Sequence, residues 1–216
     1  MPGFDPHPSA MPFQLHLCYI TDRLGLAPAP LAPRLLAAVR AGVDLIQLRE
    51  KDLEGRELAG LAGAAVEASR GSETRIVIND RLDVAMAVGA QGVHLGGQSA
   101  PLEAVRRQVT KDFLVGVSCH SLEDALRAEA GGADYILLGP VFDTPSKRRY
   151  GPPLGLDKLS EVSKRITIPV LALGGITVDR VRTCLEAGAT GIAAIRLFQD
   201  CPSLEDRIAE LRAQFL

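Results

Sequence analysis

Short apolar runs alternate with stretches of helical spacing along nearly the whole chain. Leu15-His-Leu-Cys-Tyr-Ile-Thr-Asp22 is a first strand with a polar tip. Leu31, Leu35, Leu36 and Val39 then recur at helical spacing over residues 30–41, and Gly42 ends that helix. Val43 to Leu48 is an apolar, partly β-branched run, as in a buried strand, and it turns polar abruptly at Gln47, Arg49, Glu50, Lys51 and Asp52. The pattern repeats. Leu58, Leu61, Ala65 and Val66 mark a helix with Gly71 after it, Arg75-Ile-Val-Ile-Asn-Asp80 a strand, and Leu82 to Val88 a short helix. Further strands are expected at Gly92–Gly96, Phe113–Ser118, Ala133–Leu138, Pro169–Leu173 and Gly191–Ile195. Pro101 suits an early helix position, Ser121-Leu-Glu-Asp124 an N-cap box, and Ser203 the cap of a last amphipathic helix through Ile208 and Leu211.

The sum is eight strands and about eight helices. No two strands lie close enough for a tight hairpin, so the sheet is expected to be parallel. A weak repeat joins helix ends to strands two, four, six and eight: Gly42-Val-Asp, Gly89-Ala-Gln-Gly-Val, Gly132-Ala-Asp-Tyr and Gly188-Ala-Thr-Gly-Ile. This periodicity favours an α/β fold of one (β/α)8 TIM barrel over residues 14–216, with an open doubly wound sheet as the alternative. No Gly-x-Gly-x-x-Gly follows the first strand, which argues against dinucleotide binding. Residues 1–13, rich in proline and without a basic n-region, are expected to be a disordered tail.

Composition narrows the classes. The 216 residues fit one domain, and a net charge of −2 gives no bulk support to nucleic-acid or membrane binding. No apolar run approaches the roughly 20 residues that a membrane span needs. Cys18, Cys119, Cys184 and Cys201 show no Cys-x-x-Cys spacing and read as thiols in a reducing compartment, which points to the cytoplasm.

In a barrel every strand tip faces one site, and here the tips are mainly anion-binding. They carry Gln47, Arg49 and Lys51; Asn79, Asp80 and Arg81; Ser118 and His120; the long loop with Thr144-Pro-Ser-Lys-Arg-Arg149; Gly174-Gly175; and Ile195-Arg196. A Gly-Gly turn before a helix suits a phosphate held on backbone N–H groups. Each feature also has a structural reading. Arg49 and Lys51 could pair with Glu50, Asp52 or a helix. Asn79-Asp80 could cap the next helix. His94, in mid-strand, suits the barrel interior, and Gly174-Gly175 could be only a tight turn.

Seven stretches in order resemble the thiamine phosphate synthase and thiazole tautomerase family: Gln47-Leu-Arg-Glu-Lys-Asp52, Ile78-Asn-Asp-Arg81, Gly92-Val-His-Leu-Gly96, Gly116-Val-Ser118, Gly139-Pro-Val-Phe142, Thr144-Pro-Ser-Lys147 and Gly174-Gly-Ile176. The resemblance implies a transferase of thiamine biosynthesis. It would couple a hydroxymethylpyrimidine diphosphate to a thiazole phosphate, with Mg2+ as cofactor and no partner beyond small phosphorylated substrates; a homodimer is compatible with it. By motif match, Gln47, Arg49, Lys51, Asn79, Ser118 and Lys147 would hold the pyrimidine diphosphate. Thr144, Ser146, Gly174, Gly175, Ile195 and Arg196 would hold the thiazole phosphate, and Asp80 the metal. His120 would be the proton shuttle of a tautomerase. Two positions depart from the synthase pattern: Ser99 stands where a second metal-binding Asp is expected, and Arg196 where Ser is usual. A tautomerase and a non-catalytic, ligand-sensing barrel are the alternatives.

Overall fold

The computed structural model describes residues 14–144 and 152–215. The first half runs β1 (Leu17–Ile20), α1 (Arg23–Leu26), α2 (Leu31–Arg40), β2 (Leu45–Leu48), α3 (Gly55–Ser69), β3 (Arg75–Asn79), α4 (Leu82–Val88), β4 (Gly92–Leu95) and α5 (Leu102–Arg106). The second half runs β5 (Leu114–Cys119), α6 (Leu122–Ala130), β6 (Tyr135–Leu138), α7 (Gly155–Ser163), β7 (Val170–Leu173), α8 (Val178–Glu186), β8 (Gly191–Ala194), α9 (Arg196–Gln199) and α10 (Leu204–Arg212). The eight strands close into a barrel in sequence order, and every neighbouring pair is parallel. This is the expected (β/α)8 barrel, and the open sheet is excluded.

Several expected boundaries move. Leu15 and Asp22 fall outside β1, Val43 outside β2, and Ala133 outside β6, because these flanking residues turn into or out of the ladder. Pro101 sits just before α5 rather than inside it. Leu36, grouped with the buried face of α2, is exposed. The short helices α1 and α9 raise the helix number above the expected eight. Residues 1–13, and with them the expected tail, lie outside the described residues.

Strand periodicity sorts the core into two layers. Ile46, Leu48, Ile76, Ile78, Ile136 and Leu138 face outward and pack under the helices. Cys18, Leu45, Val77, Leu114, Tyr135, Leu137, Leu171 and Ala193 face inward and fill the barrel. All four cysteines are buried and unpaired. Among the described residues no helix is long and apolar enough to cross a membrane.

The repeat read from sequence has a physical task. Gly42, Gly89, Gly132 and Gly188 all take positive φ, between 68° and 98°, which reverses the chain at the end of a helix. Two residues later stands a polar side chain that reaches back to the preceding odd-numbered strand. Asp44 accepts from the N–H groups of His16 and Leu17 at 2.9 and 2.8 Å. Gln91 accepts from Ile76 N–H at 2.8 Å, Asp134 from Val115 N–H at 2.7 Å, and Thr190 from Val170 N–H at 3.3 Å. The N-terminal end of the barrel is therefore closed by one device used at every second strand. Two of its members are also held by helices, Asp44 by Arg212 of α10 and Asp134 by Arg106 of α5.

Removing Asp134 leaves the Val115 N–H without its side-chain acceptor and Arg106 without its carboxylate, with only the Gly132 and Phe113 carbonyls left to accept from the guanidinium. Asp134→Ala is expected to lower unfolding free energy by about 2–3 kcal/mol, with Asp134→Asn costing less because it keeps an acceptor. Denaturant unfolding measures both. Turnover per folded molecule is expected to be unchanged, since Asp134 precedes β6 at the end opposite the strand tips.

Candidate active site

The C-terminal end of β2 is held by a buried polar knot. Thr21 is fully buried, and its hydroxyl donates to Glu50 Oε1 at 2.5 Å while accepting from Arg49 N–H at 3.0 Å. Glu50 Oε2 accepts from Arg23 N–H at 3.0 Å. Burial pushes the Glu50 carboxyl above its usual range, against the hydrogen bonds from Thr21 and Arg23 that favour its charge. Asp52 pairs with the Arg23 guanidinium. Both carboxylates that could have neutralised Arg49 and Lys51 are thus engaged elsewhere. Among the described residues, the Arg49 guanidinium and the exposed Lys51 ammonium form no ion pair and no hydrogen bond.

Next around the barrel, Gln47 is buried and donates through Nε2 to Asn79 Oδ1 at 3.0 Å. Its Oε1 is buried with no partner among the described residues. Asn79 therefore supports Gln47 and does not cap α4, whose N-terminus has no side-chain cap. Asp80 follows at φ 67°, a left-handed backbone, and donates its N–H to His94 O at 2.9 Å. Its exposed carboxylate accepts no hydrogen bond among the described residues. Arg81 turns to Asp83 and leaves the group.

His94 is in the barrel interior, as its mid-strand position suggests. Its Nε2 lies 2.9 Å from Ser118 Oγ and its Nδ1 3.2 Å from Tyr135 Oη. Burial, reinforced by the charge of Arg49, pushes its pKa down to about 3. Gly116 makes room for this pair: a Cβ there would lie 2.1 Å from Tyr135 Cζ and 2.6 Å from His94 Nδ1. His120 is exposed. Its Nδ1 lies 2.5 Å from Gly139 O, which can only accept, so Nδ1 carries the proton and Nε2 is left for other partners.

Across β7 and β8 the donors are backbone groups. Gly174 and Gly175 take φ 97° and 65°, and a Cβ would collide with Pro140 at the first and with Phe142 and Asp143 O at the second. Their carbonyls are occupied, Gly174 O by Phe142 N–H at 3.1 Å and Gly175 O by Arg180 Nη1 at 2.7 Å. The N–H groups of Gly175, Ile176 and Arg196 donate to nothing among the described residues. Thr144 Oγ1 donates to Phe142 O at 3.1 Å, beside this turn. Ile195 O receives the first α9 bonds, and the Arg196 side chain is exposed. Arg34 of α2 holds the segment by donating to Phe198 O, Gln199 O and Cys201 O at 3.0, 3.0 and 3.1 Å. Ser146 and Lys147 lie outside the described residues.

The structure thus joins Gln47 to Asn79 and Ser118 to His94 on the inward faces of β2, β3, β4 and β5, with the Arg49 charge acting on His94; after β7 and β8 it sets a run of N–H groups with no acceptor among the described residues. Sequence reasoning missed Thr21, Glu50 and Tyr135. Thr21 and Tyr135 look like ordinary strand residues, and Glu50 looks like a partner for its neighbouring cations. The one available signal was a carboxylate and a hydroxyl at adjacent strand tips. Metal donors are sparse: among the described residues no group of three or more His, Cys, Asp or Glu could hold an ion.

Residues 17–198 match the profile of the family described as thiamine monophosphate synthase. The chain is 37% identical over 214 residues to the thiamine-phosphate synthase of Roseiflexus sp., covering 99% of this chain and 91% of that one. It is 44% identical over 188 residues to the thiamine-phosphate synthase of Methanoculleus marisnigri, covering 84% and 88%. Among solved structures, thiamine phosphate pyrophosphorylase from Pyrococcus furiosus superposes with a TM-score of 0.84 at 34% identity, covering 93% of this chain and 95% of that one.

The knot at Thr21 and Glu50 implies a split between stability and presentation. Glu50→Ala is expected to cost about 1–3 kcal/mol, because a buried hydroxyl and an N–H lose their acceptor. Thermal unfolding measures the loss, and an unshifted midpoint would contradict it.

Proposed function

The chain belongs to the thiamine monophosphate synthase family, and on that premise we propose that it joins hydroxymethylpyrimidine diphosphate to thiazole phosphate. The methylene C–O bond breaks, diphosphate leaves with the electron pair, and the thiazole nitrogen forms the new C–N bond of thiamine phosphate. The observation that carries this reading is Arg49, two residues past Gln47 of the Gln47–Asn79 pair and without an ion pair among the described residues, with both carboxylates of the β2 tip, Glu50 and Asp52, tied elsewhere.

Gln47 and Asn79 suit the pyrimidine. Their mutual bond uses one donor of Gln47 and one acceptor of Asn79, leaving Gln47 Oε1 and Asn79 Nδ2. That is an acceptor beside a donor, complementary to the amino group and ring nitrogen of an aminopyrimidine. Arg49, Lys51, Ser118 and Lys147 would take the diphosphate, whose charge grows as it leaves, so that fixed cations lower the barrier. The N–H groups of Gly175, Ile176 and Arg196, with Gly174, Ile195, Thr144 and Ser146, would take the thiazole phosphate. Arg196 adds a cation at that end.

The donor set fits Mg2+ as an ion shared with substrate. Asp80 offers a carboxylate oxygen with no competing hydrogen bond among the described residues, whereas Ser99 Oγ accepts from Gly96 N–H at 2.7 Å. One carboxylate plus substrate phosphate oxygens is a normal Mg2+ environment. Asp80 would hold the ion, which would neutralise charge on the diphosphate. His120, its Nδ1 committed to Gly139, would orient substrate. Tautomerisation could use the same Nε2, but it gives Arg49 and Lys51 no task. The four buried thiols suit a reducing compartment, and we place the reaction in the cytoplasm.

Arg49→Ala tests the reading. Thiamine phosphate formation is expected to fall about 100-fold or more, as when a preorganised donor to developing charge is removed. Unfolding free energy is expected to change by less than about 0.5 kcal/mol, because the guanidinium has no hydrogen-bond or ion-pair partner among the described residues. Arg49→Lys is also expected to be poor, since a point charge lacks the bidentate fork. Wild-type turnover in both variants would remove Arg49 from the site.

A further inference from the structure

The ring of His94 connects a deeply buried hydroxyl to one at the mouth. Tyr135 is fully buried, and among the described residues the only hydrogen bond of its hydroxyl is to His94 Nδ1, at 3.2 Å. A phenol O–H enclosed among apolar side chains must donate to its sole partner or lose a hydrogen bond. If it donates to Nδ1, that nitrogen is the lone-pair nitrogen and the ring proton sits on Nε2. Nε2 then donates to Ser118 Oγ, 2.9 Å away. A ring protonated on Nδ1, or on both nitrogens, would strand the Tyr135 hydrogen.

We propose that Tyr135 acts through His94 as a positioning pair that makes Ser118 a hydrogen-bond donor toward the barrel mouth. Because Ser118 accepts from His94, its own hydrogen is left for a ligand, and a donor is what an anionic oxygen requires. In the opposite tautomer the hydroxyl of Ser118 would spend its hydrogen on Nε2 and turn lone pairs toward the incoming anion. The choice between attraction and repulsion at Ser118 is thus made two bonds away. Gly116 is part of the arrangement, because any side chain there would part Tyr135 from His94. The identity of the anion as diphosphate rests on the function proposed above; the polarity of the chain of hydrogen bonds does not.

Ring 15N shifts of His94, assigned by comparison with His94→Gln, report the tautomer without any ligand. The expected result is a proton on Nε2 in the unmodified protein and a tautomer mixture in Tyr135→Phe. A proton on Nδ1, or on both nitrogens, in the unmodified protein would overturn the proposal. Calorimetry with inorganic diphosphate and Mg2+ supplies the second arm. Tyr135→Phe is expected to weaken binding about ten-fold, the scale of one hydrogen bond to a charged group. The same substitution is expected to have no effect in a Ser118→Ala background. An equal loss in both backgrounds would show that Tyr135 acts by packing alone and would also overturn the proposal. Failure of the unmodified protein to bind diphosphate, with the ring proton on Nε2, would instead overturn the assignment of the ligand.

Discussion

Closing eight parallel strands sends every second side chain into a volume that water does not fill. Any polar group placed there has to find a protein partner or wait for a ligand. The interior of this barrel obeys that constraint from bottom to top. Its apolar part is filled by Leu45, Val77, Leu114, Leu137 and Leu171. Among them Gln47 bonds Asn79, and His94 bonds Tyr135 and Ser118. The Oε1 of Gln47 is a buried acceptor left without a partner among the described residues.

The two ends of the barrel divide the work. At the N-terminal end, Asp44, Gln91, Asp134 and Thr190 close alternate strands with side-chain caps on backbone N–H groups. These residues use their hydrogen-bonding capacity on the fold itself. At the C-terminal end the same economy runs the other way. Glu50 and Asp52 are occupied by Thr21 and Arg23, and the carbonyls of Gly174 and Gly175 by Phe142 and Arg180. What remains unengaged among the described residues is almost all donor: Arg49, Lys51 and a row of backbone N–H groups. A mouth built in this way suits anionic groups, which fixed donors attract.

Much of this was legible in the sequence, for reasons that can be traced. The strand runs and the Gly-x-polar repeat are periodic features, and periodicity follows directly from geometry. Polar residues at strand ends are legible for the same reason, which is why spacing alone groups Gln47, Arg49, Asn79 and Ser118. The direction of each side chain was not legible. Nothing in the spacing tells that Glu50 turns to Thr21 while Arg49 has no ion pair among the described residues, or that Asn79 braces Gln47 rather than capping α4. Tyr135 was invisible as a functional residue because its partner, His94, lies 41 positions away and is brought to it by the closure of the barrel. Ser99 shows the reverse: the sequence marks it as a departure, and the structure shows its hydroxyl occupied by Gly96 N–H.

The central claim is that this mouth joins two phosphorylated rings and does not rearrange one. The most direct measurement is product analysis of the unmodified protein with hydroxymethylpyrimidine diphosphate and thiazole phosphate, with and without Mg2+, beside a thiazole-tautomer substrate alone. Thiamine phosphate and diphosphate are expected in equal amounts, dependent on Mg2+, with no turnover of the tautomer. Tautomer conversion without coupling at saturating Mg2+ would contradict it.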